Sequence, residues 1–544
     1  MNAMIYAPTP LVGREREFAE LRNRVLDPAT RMLTVTGPVG VGKSRLVAAL
    51  FEHVSYEFAH GGRYLDLSAA DETADLAETL ISALGVTGED QALPADRLAA
   101  HLRDKHFLLV VDGCELVLKP LVPLVTNLVS TCPRLSVLIS SPERMGVYGE
   151  GLVRLGPLPV PGPTIPKNLT ELERIPAVQL FVHRSRAVRP GFVLTEENRE
   201  AVGRLCQMLD GLPLAIELAS ARMKLSSPQA LLSELESDLG VLSGTRADTM
   251  SQHIDLRSAV EWSLSRLKRP EQVFLSRLAI FTGEFGFAAA KGLSKVSATQ
   301  TQDLLETLVD RNILLTDERP DGELGFRMLG LIRRYALEWL RRTGDYTKVM
   351  RGHADYFMAM AQTAETELFG PEQSWWLDQL SYWHHDISAA LQFLADSGDG
   401  PGLAGLASAL RLHWQVHGVP REGVQWLEQA LILGELPHHL APRVHETLGE
   451  LSLGLGETSV ADDCLATARS LFEELRDSSG TASCLRTMGR LAYFKGDLAQ
   501  ADVLLEESAT AMRAVGSVWG QAMTLRDLAA TRRARGNLRA AWKL

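Results

Sequence analysis

The chain has 544 residues, of which 46% are apolar and 23% charged, with a formal net charge of −11. A single hydrophobic core stops growing at roughly 250–300 residues, so three or four domains are expected, and the composition excludes a disordered or fibrous protein. The acidic balance gives no general attraction for nucleic-acid phosphates, so any DNA contact has to be local.

Five cysteines (Cys114, Cys132, Cys206, Cys464, Cys484) stand without a C-x-x-C pair or a histidine at metal-ligand spacing, and they read as packing residues of a reducing compartment. The tail 1–10 has no basic stretch followed by an apolar core, and no run is long enough to span a bilayer. A cytoplasmic protein with no membrane partner is expected.

Short apolar runs then alternate with helical patterns, the signature of a parallel sheet with crossover helices over 11–157. The predicted strands are Met32–Thr36, Arg63–Leu67, Phe107–Val111, Leu135–Ser140 and Leu152–Leu155. From Gly156 to Pro166 five of eleven residues are proline, which stops both sheet and helix and places a linker at 158–175. Amphipathic helices Val178–Val188, Glu196–Leu209 and Leu214–Met223 predict a small helical domain, 176–246.

In 247–343, helices at Leu256–Leu267, Gln272–Phe281 and Gln302–Val309 precede strands Ile313–Thr316 and Gly325–Met328, a winged-helix order. A helical bridging region is expected at 344–435. Trp375, Trp376, Tyr382, Trp383, His384 and His385 read there as helix packing rather than a ligand pocket. Over 436–544 Gly456, Gly496 and Gly536 recur every 40 residues, each followed five residues on by Ala461, Ala501 and Ala541. Leu465 and Leu505 keep the same phase, as do Gly449 and Gly489. Gly418 and Leu427 suggest a degenerate earlier copy. The pattern resembles the tetratricopeptide repeat, with the last copy incomplete.

The chemistry concentrates in Gly37-Pro38-Val39-Gly40-Val41-Gly42-Lys43-Ser44, a G-x-x-x-x-G-K-[ST] run between a strand and a helix. Such glycines let backbone N–H groups converge on phosphate, and the helix N-terminus adds positive charge. Lys43 is expected at the β and γ phosphates of ATP or ADP, and Ser44 on Mg²⁺. Asp112, ending the apolar run from Phe107, is the second candidate for the Mg²⁺ shell.

Together these segments resemble the NB-ARC/STAND class of ATPases, in the branch of large bacterial transcriptional regulators of antibiotic-regulatory and LuxR-like type. Leu11-Val12-Gly13-Arg14-Glu15-Arg16-Glu17 matches the family's opening segment, which implies that Val12, Gly13 and Arg14 lie against adenine. Gly211-Leu212-Pro213-Leu214-Ala215 matches its G-L-P-L-A signature, which implies that Pro213 packs on the base. Gly37, Gly40, Val41, Gly42 and Arg45 complete the implied nucleotide contacts. Arg257–Ser263 and Phe326–Ala336 match the two ends of the family's winged helix. The resemblance implies ADP buried between core and winged helix, and exchange for ATP that opens the molecule for assembly.

Three departures bear on activity. Gly113 follows Asp112 where relatives carry Asn or a second acid, leaving Glu115 as the carboxylate that could reach in. Pro142 occupies the γ-phosphate-sensing arginine position, and Arg144 is either its displaced substitute or a solvated loop residue. Met328-Leu329-Gly330 lacks the histidine and acid of the M-H-D-like segment.

The expected function is a nucleotide-regulated signalling ATPase whose repeats receive a protein or small-molecule signal, with slow hydrolysis and nucleotide-dependent self-association. The rivals are a degenerate nucleotide-binding scaffold and a motor that turns over continuously. Since the ATPase signature starts at Leu11 and repeats run to Leu544, no specific DNA binding by this chain alone is expected.

Overall fold

The structure is a computed structural model that describes residues 10–68, 70, 75–86, 92–237, 256–319 and 322–544. The expected tail before Pro10 and the boundary between 246 and 247 lie outside the described residues. The chain forms two compact units. The first holds residues up to 279 with 284–287 and 296–339; the second holds 280–283, 288–295 and 340–544.

In the first unit β1 (Met32–Thr36), β2 (Gly62–Asp66), β3 (Phe107–Asp112), β4 (Leu135–Ser140) and β5 (Gly151–Arg154) form one parallel sheet, ordered β2-β3-β4-β1-β5. Burial follows from that order. All residues of β1 and β3 are buried, whereas the edge strands β2 and β5 are largely half-exposed. Because β4 lies between β1 and β3, the carboxyl ends of these three strands meet along one rim of the sheet.

The proline-rich stretch after β5 forms neither helix nor strand. It is tied instead to the helices that follow, through Leu158 N–H to Gly211 O at 2.9 Å and Ala177 N–H to Pro159 O at 3.1 Å. Those helices include Pro176–Val188, Arg199–Met208 and Pro213–Ala221. Further on, β6 (Phe285–Gly286), β7 (Leu314–Glu318) and β8 (Leu324–Met328) make an antiparallel sheet ordered β6-β8-β7. The sequence predicts only β7 and β8, because two residues are too few to display an alternation.

The second unit is built of helices packed in antiparallel pairs, a solenoid of tetratricopeptide-like hairpins. Three successive hairpins are Ala441–Gly454 with Thr458–Glu474, Ser478–Phe494 with Leu498–Ala514, and Val518–Ala534 with Leu538–Trp542. The small residues at the repeat phase have a packing cause: a Cβ on Gly449 would lie 2.7 Å from Leu465, and one on Gly489 would lie 2.6 Å from Leu505.

A charged ladder joins the first helices of these hairpins. Glu450 accepts from Arg490 at 2.9 Å and Arg486 at 3.3 Å, and lies 3.3 Å from Arg411. Arg486 continues to Asp527 at 3.5 Å. Burial alone would raise the Glu450 pKa, but the three arginines outweigh it and hold the carboxyl at about 2.

Candidate functional site

Strand β1 runs directly into the phosphate-loop sequence, and the helix Lys43–Val54 begins at its end with Gly42 as N-cap, at φ 96°. A Cβ on Gly42 would meet nothing within 4 Å, so the loop's open side faces free space just where the helix N-terminus points. Lys43 is buried, and its Nζ donates to Gly37 O at 2.8 Å and Pro38 O at 3.1 Å. Burial lowers its pKa to about 8, against the opposing charges of Glu115 and Asp112.

Asp112 is gripped at both oxygens. Ser44 Oγ donates to Oδ1 at 3.0 Å, and Tyr64 Oη donates to Oδ2 at 2.6 Å. Burial, reinforced by the Asp112 charge, pushes the Tyr64 phenol far up, so it stays a donor. Tyr64 went unnoticed in the sequence because its role depends on β2 pairing with β3, where Tyr64 stands opposite Val110. Glu115 stands close enough for its charge to act on Lys43, and burial raises its own pKa. The structure thus brings Lys43, Ser44, Asp112, Glu115 and Tyr64 together.

Other predicted residues are placed differently. Arg14 is only 4% exposed and its guanidinium is committed to protein: Nη2 donates to Gly156 O at 2.7 Å and Val41 O at 3.3 Å, and Nη1 to Glu17 at 2.7 Å. It braces the loop rather than offering free donors to a base. Gly13 packs on Pro176, and Val12 precedes it. Arg45 lies 3.3 Å from Glu217 and donates to Pro10 O at 2.9 Å, beside a cleft of about 420 Å³ bordered by Leu11 and Phe18. Arg144 is largely exposed and pairs with Asp310 at 3.0 Å, while Asn312 Nδ2 donates to Pro142 O at 2.6 Å. The loop after β4 is therefore engaged by the segment preceding β7 instead of turning its arginine to the phosphate loop.

Gly113 has a packing reason that the sequence conceals. It adopts φ 65°, and a Cβ there would lie 2.7 Å from Ser68 N and 2.8 Å from Asp66 Oδ1. A second acid at this position is sterically blocked. Gly113→Asp is expected to destabilise the fold by about 1–3 kcal/mol rather than to raise hydrolysis, a loss that thermal denaturation would record.

The G-L-P-L-A segment reaches the loop through its backbone. Pro213 opens the helix Pro213–Ala221, and Leu214 N–H donates to Gly40 O at 3.1 Å. Three residues before Pro213, Asp210 adopts φ 53° and its Oδ2 accepts from Gly330 N–H at 2.6 Å, at the start of the helix Gly330–Arg342. Leu331 N–H also donates to this carboxyl. The segment Met328-Leu329-Gly330, which has no acid of its own, is thus met by a carboxylate 120 residues away in sequence.

Comparison with known proteins agrees with this anatomy. Residues 10–139 match the AAA ATPase domain and residues 267–341 the winged helix-turn-helix domain. Protein Rv0894 of Mycobacterium tuberculosis is 33% identical over 346 residues, 63% of this chain and 84% of that protein. The chain belongs to the family of this protein, in which an AAA ATPase domain is followed by a winged helix-turn-helix domain. Rv0890c of the same organism, whose name describes an HTH-type transcriptional regulator, is 30% identical over 507 residues. That match covers 91% of this chain, which spans 55% of the length of Rv0890c. The regulatory protein AfsR of Streptomyces griseus is 26% identical over 355 residues, 61% of this chain and 33% of AfsR. Among solved structures, the STAND protein with a tetratricopeptide repeat sensor PH0952 from Pyrococcus horikoshii matches 98% of this chain and 76% of its own, at 15% identity and a TM-score of 0.36. Residues 10–139 therefore carry the AAA ATPase domain, with the Gly37–Ser44 loop inside it. Among the described residues no helix is long and apolar enough to cross a membrane.

Proposed function

We propose that the chain is a nucleotide-regulated switch of transcriptional control, in which ATP or ADP with Mg²⁺ occupies the Gly37–Ser44 loop. The observation that carries this reading is a continuous set of bonds from loop to winged helix: Gly40 to Leu214, and Asp210 to Gly330. Bound phosphates would rest on the loop amides and Lys43, with Ser44 and Asp112 holding the metal ion that screens their charge. Tyr64 fixes the Asp112 carboxylate in orientation, and Glu115 is the remaining carboxylate for positioning water. Displacement of Gly40 by phosphate would be felt at Leu214 and, through the short turn Asp210–Pro213, at Gly330. The repeats would receive the signal, a protein or small molecule, and self-association would follow nucleotide state. Such a switch acts in the cytoplasm.

Two measurements test this. Light scattering should give different molecular masses with ATP and with ADP; equal masses, with no nucleotide co-purifying, would favour the scaffold reading. ATP turnover by the isolated chain should stay below about 1 per second, under the usual enzyme range, since Gly113 and Pro142 leave water orientation and γ-phosphate sensing weak. Faster turnover would favour the motor.

A further inference from the structure

A nucleoside triphosphate differs from a diphosphate in its terminal phosphoryl group and the negative charge which that group adds. A residue that tells the two apart must bring positive charge to the far end of the loop. Pro142 has no charge to bring, and Arg144 is turned to Asp310. Glu115 shows where another cation stands. Burial dominates its pKa, but its carboxyl also feels two cations, Lys43 of the loop and Arg266. Arg266 directly follows the helix Leu256–Ser265 and stands one residue before the winged helix-turn-helix domain, within the first unit.

The stretch after β4 holds Arg266 in place. Since β4 lies between β1 and β3, its carboxyl end adjoins the ends that carry the phosphate loop and Asp112, and Glu143 follows three residues on. Arg266 Nη2 lies 3.8 Å from Glu143 Oε1, and Arg311 Nε lies 4.0 Å from the same oxygen. Both separations exceed hydrogen-bond length, and the side chains of Arg266 and Glu143 are 33% and 27% exposed, so the attraction is screened and weak. The backbones on both sides are pinned. Arg311 Nη1 donates to Arg266 O at 2.8 Å and lies 3.4 Å from Glu271, while Ser141 N–H donates to Val35 O at 3.1 Å and Asn312 holds Pro142 O. A loosely paired guanidinium on a fixed backbone thus stands within electrostatic reach of Glu115 and the loop.

Resting on the reading that ATP and ADP occupy the loop, we infer that Arg266 is the specificity residue for the terminal phosphate. It leaves Glu143 when that group is bound and returns to it when it is not. A phosphate offers a guanidinium two parallel charge-assisted hydrogen bonds, which a carboxylate oxygen 3.8 Å away does not. Glu143 is the placeholder that keeps Arg266 at the rim with ADP, and it retains Arg311 as a partner when Arg266 turns away.

The test is equilibrium binding of the full chain, with Mg²⁺, to fluorescent ADP and to a fluorescent β,γ-imido analogue of ATP, read by anisotropy. In Arg266→Ala the affinity for the analogue should fall at least about tenfold while that for ADP stays within about twofold, because the lost contact is made only to the terminal group. Arg266→Lys, which keeps the charge without the planar fork, should lose less. Glu143→Gln should move the other way, tightening the analogue by up to about fivefold with ADP unchanged, a gain that a damaged fold cannot give. Equal losses for both ligands in Arg266→Ala would mark a structural role and overturn the inference. Loss of the ATP preference in Arg144→Ala but not in Arg266→Ala would do the same. A wild-type chain that binds neither ligand rejects the nucleotide reading itself, whereas one that binds both, with a preference indifferent to Arg266, keeps that reading and rejects this role.

Discussion

Replacing Lys43 by alanine is expected to remove nucleotide binding, with Kd for ATP rising on the order of a hundredfold or more. The ammonium is the one positive side chain inside the loop, and losing a charge-assisted contact of about 3 kcal/mol corresponds to that factor. The same substitution has a signature that needs no nucleotide. Burial lowers the Lys43 pKa to about 8 from an ordinary value of 10.5. Between these values the unfolded chain binds the extra proton, so stability rises with pH across that window. The wild type should show this rise relative to Lys43→Ala in denaturant titrations from pH 7 to 11. Unchanged ATP affinity would remove the loop from the site, and a flat difference across pH would place Lys43 in water.

The second large effect is expected at Asp210. Its pKa is raised to about 6, first by burial and against the bonds from Gly330 and Leu331 and the charges of Arg327 and Arg334. Here the folded chain holds the proton longer than the unfolded one. Stability conferred by the group is full below about pH 4 and is lost as pH rises through about 6, a change on the order of 3 kcal/mol. Relative to Asp210→Asn, the wild type should therefore lose stability over that interval and level off above it. At neutral pH the carboxylate is a costly tenant of its buried site, held there by the N–H groups of Gly330 and Leu331. Asp210→Ala, which leaves two helix-terminal N–H groups unpaired at about 0.5–2 kcal/mol, is expected to speed ADP release measured with a fluorescent analogue. Gly330→Ala should act in the same direction, because its Cβ would press on Asp210 Oδ2 from 3.1 Å. Release unchanged in both variants would confine Asp210 to structure.

Features held by neighbours in sequence were legible, and those held by distant contacts were not. The continuous apolar runs located all five strands of the large sheet, with β1 and β4 matching residue for residue. β2 begins one residue earlier than predicted, because Gly62 pairs with Leu108 although it has no apolar side chain to reveal it. The loop, Ser44 and Asp112 belong to short local patterns, and the fold brings Ser44 Oγ to 3.0 Å from Asp112 Oδ1. Tyr64 and Asp210 escaped notice since their partners lie 48 and 120 residues away. For Arg14 and Arg144 the sequence located the residue but not its direction: backbone carbonyls take the first guanidinium, and Asp310 takes the second. The grouping of domains also differed, since residues 288–295 of the expected winged-helix region cluster with the repeats.

The ladder centred on Glu450 changes how the solenoid should come apart. In an array whose hairpins touch only their immediate neighbours, terminal hairpins fray first and the rest survive, so melting is gradual. Here Glu450 is shared by arginines from the helices Arg411–Val416 and Ser478–Phe494, and Arg486 extends the chain of charges to Asp527. Unzipping the hairpin after Glu450 removes Arg486 and Arg490, and unzipping the one before it removes Arg411, so either loss leaves the carboxylate with fewer of the partners that offset its burial. Partial unravelling is thus penalised from both directions. The array is therefore expected to melt more cooperatively than one joined by apolar contacts alone, with less fraying at its ends.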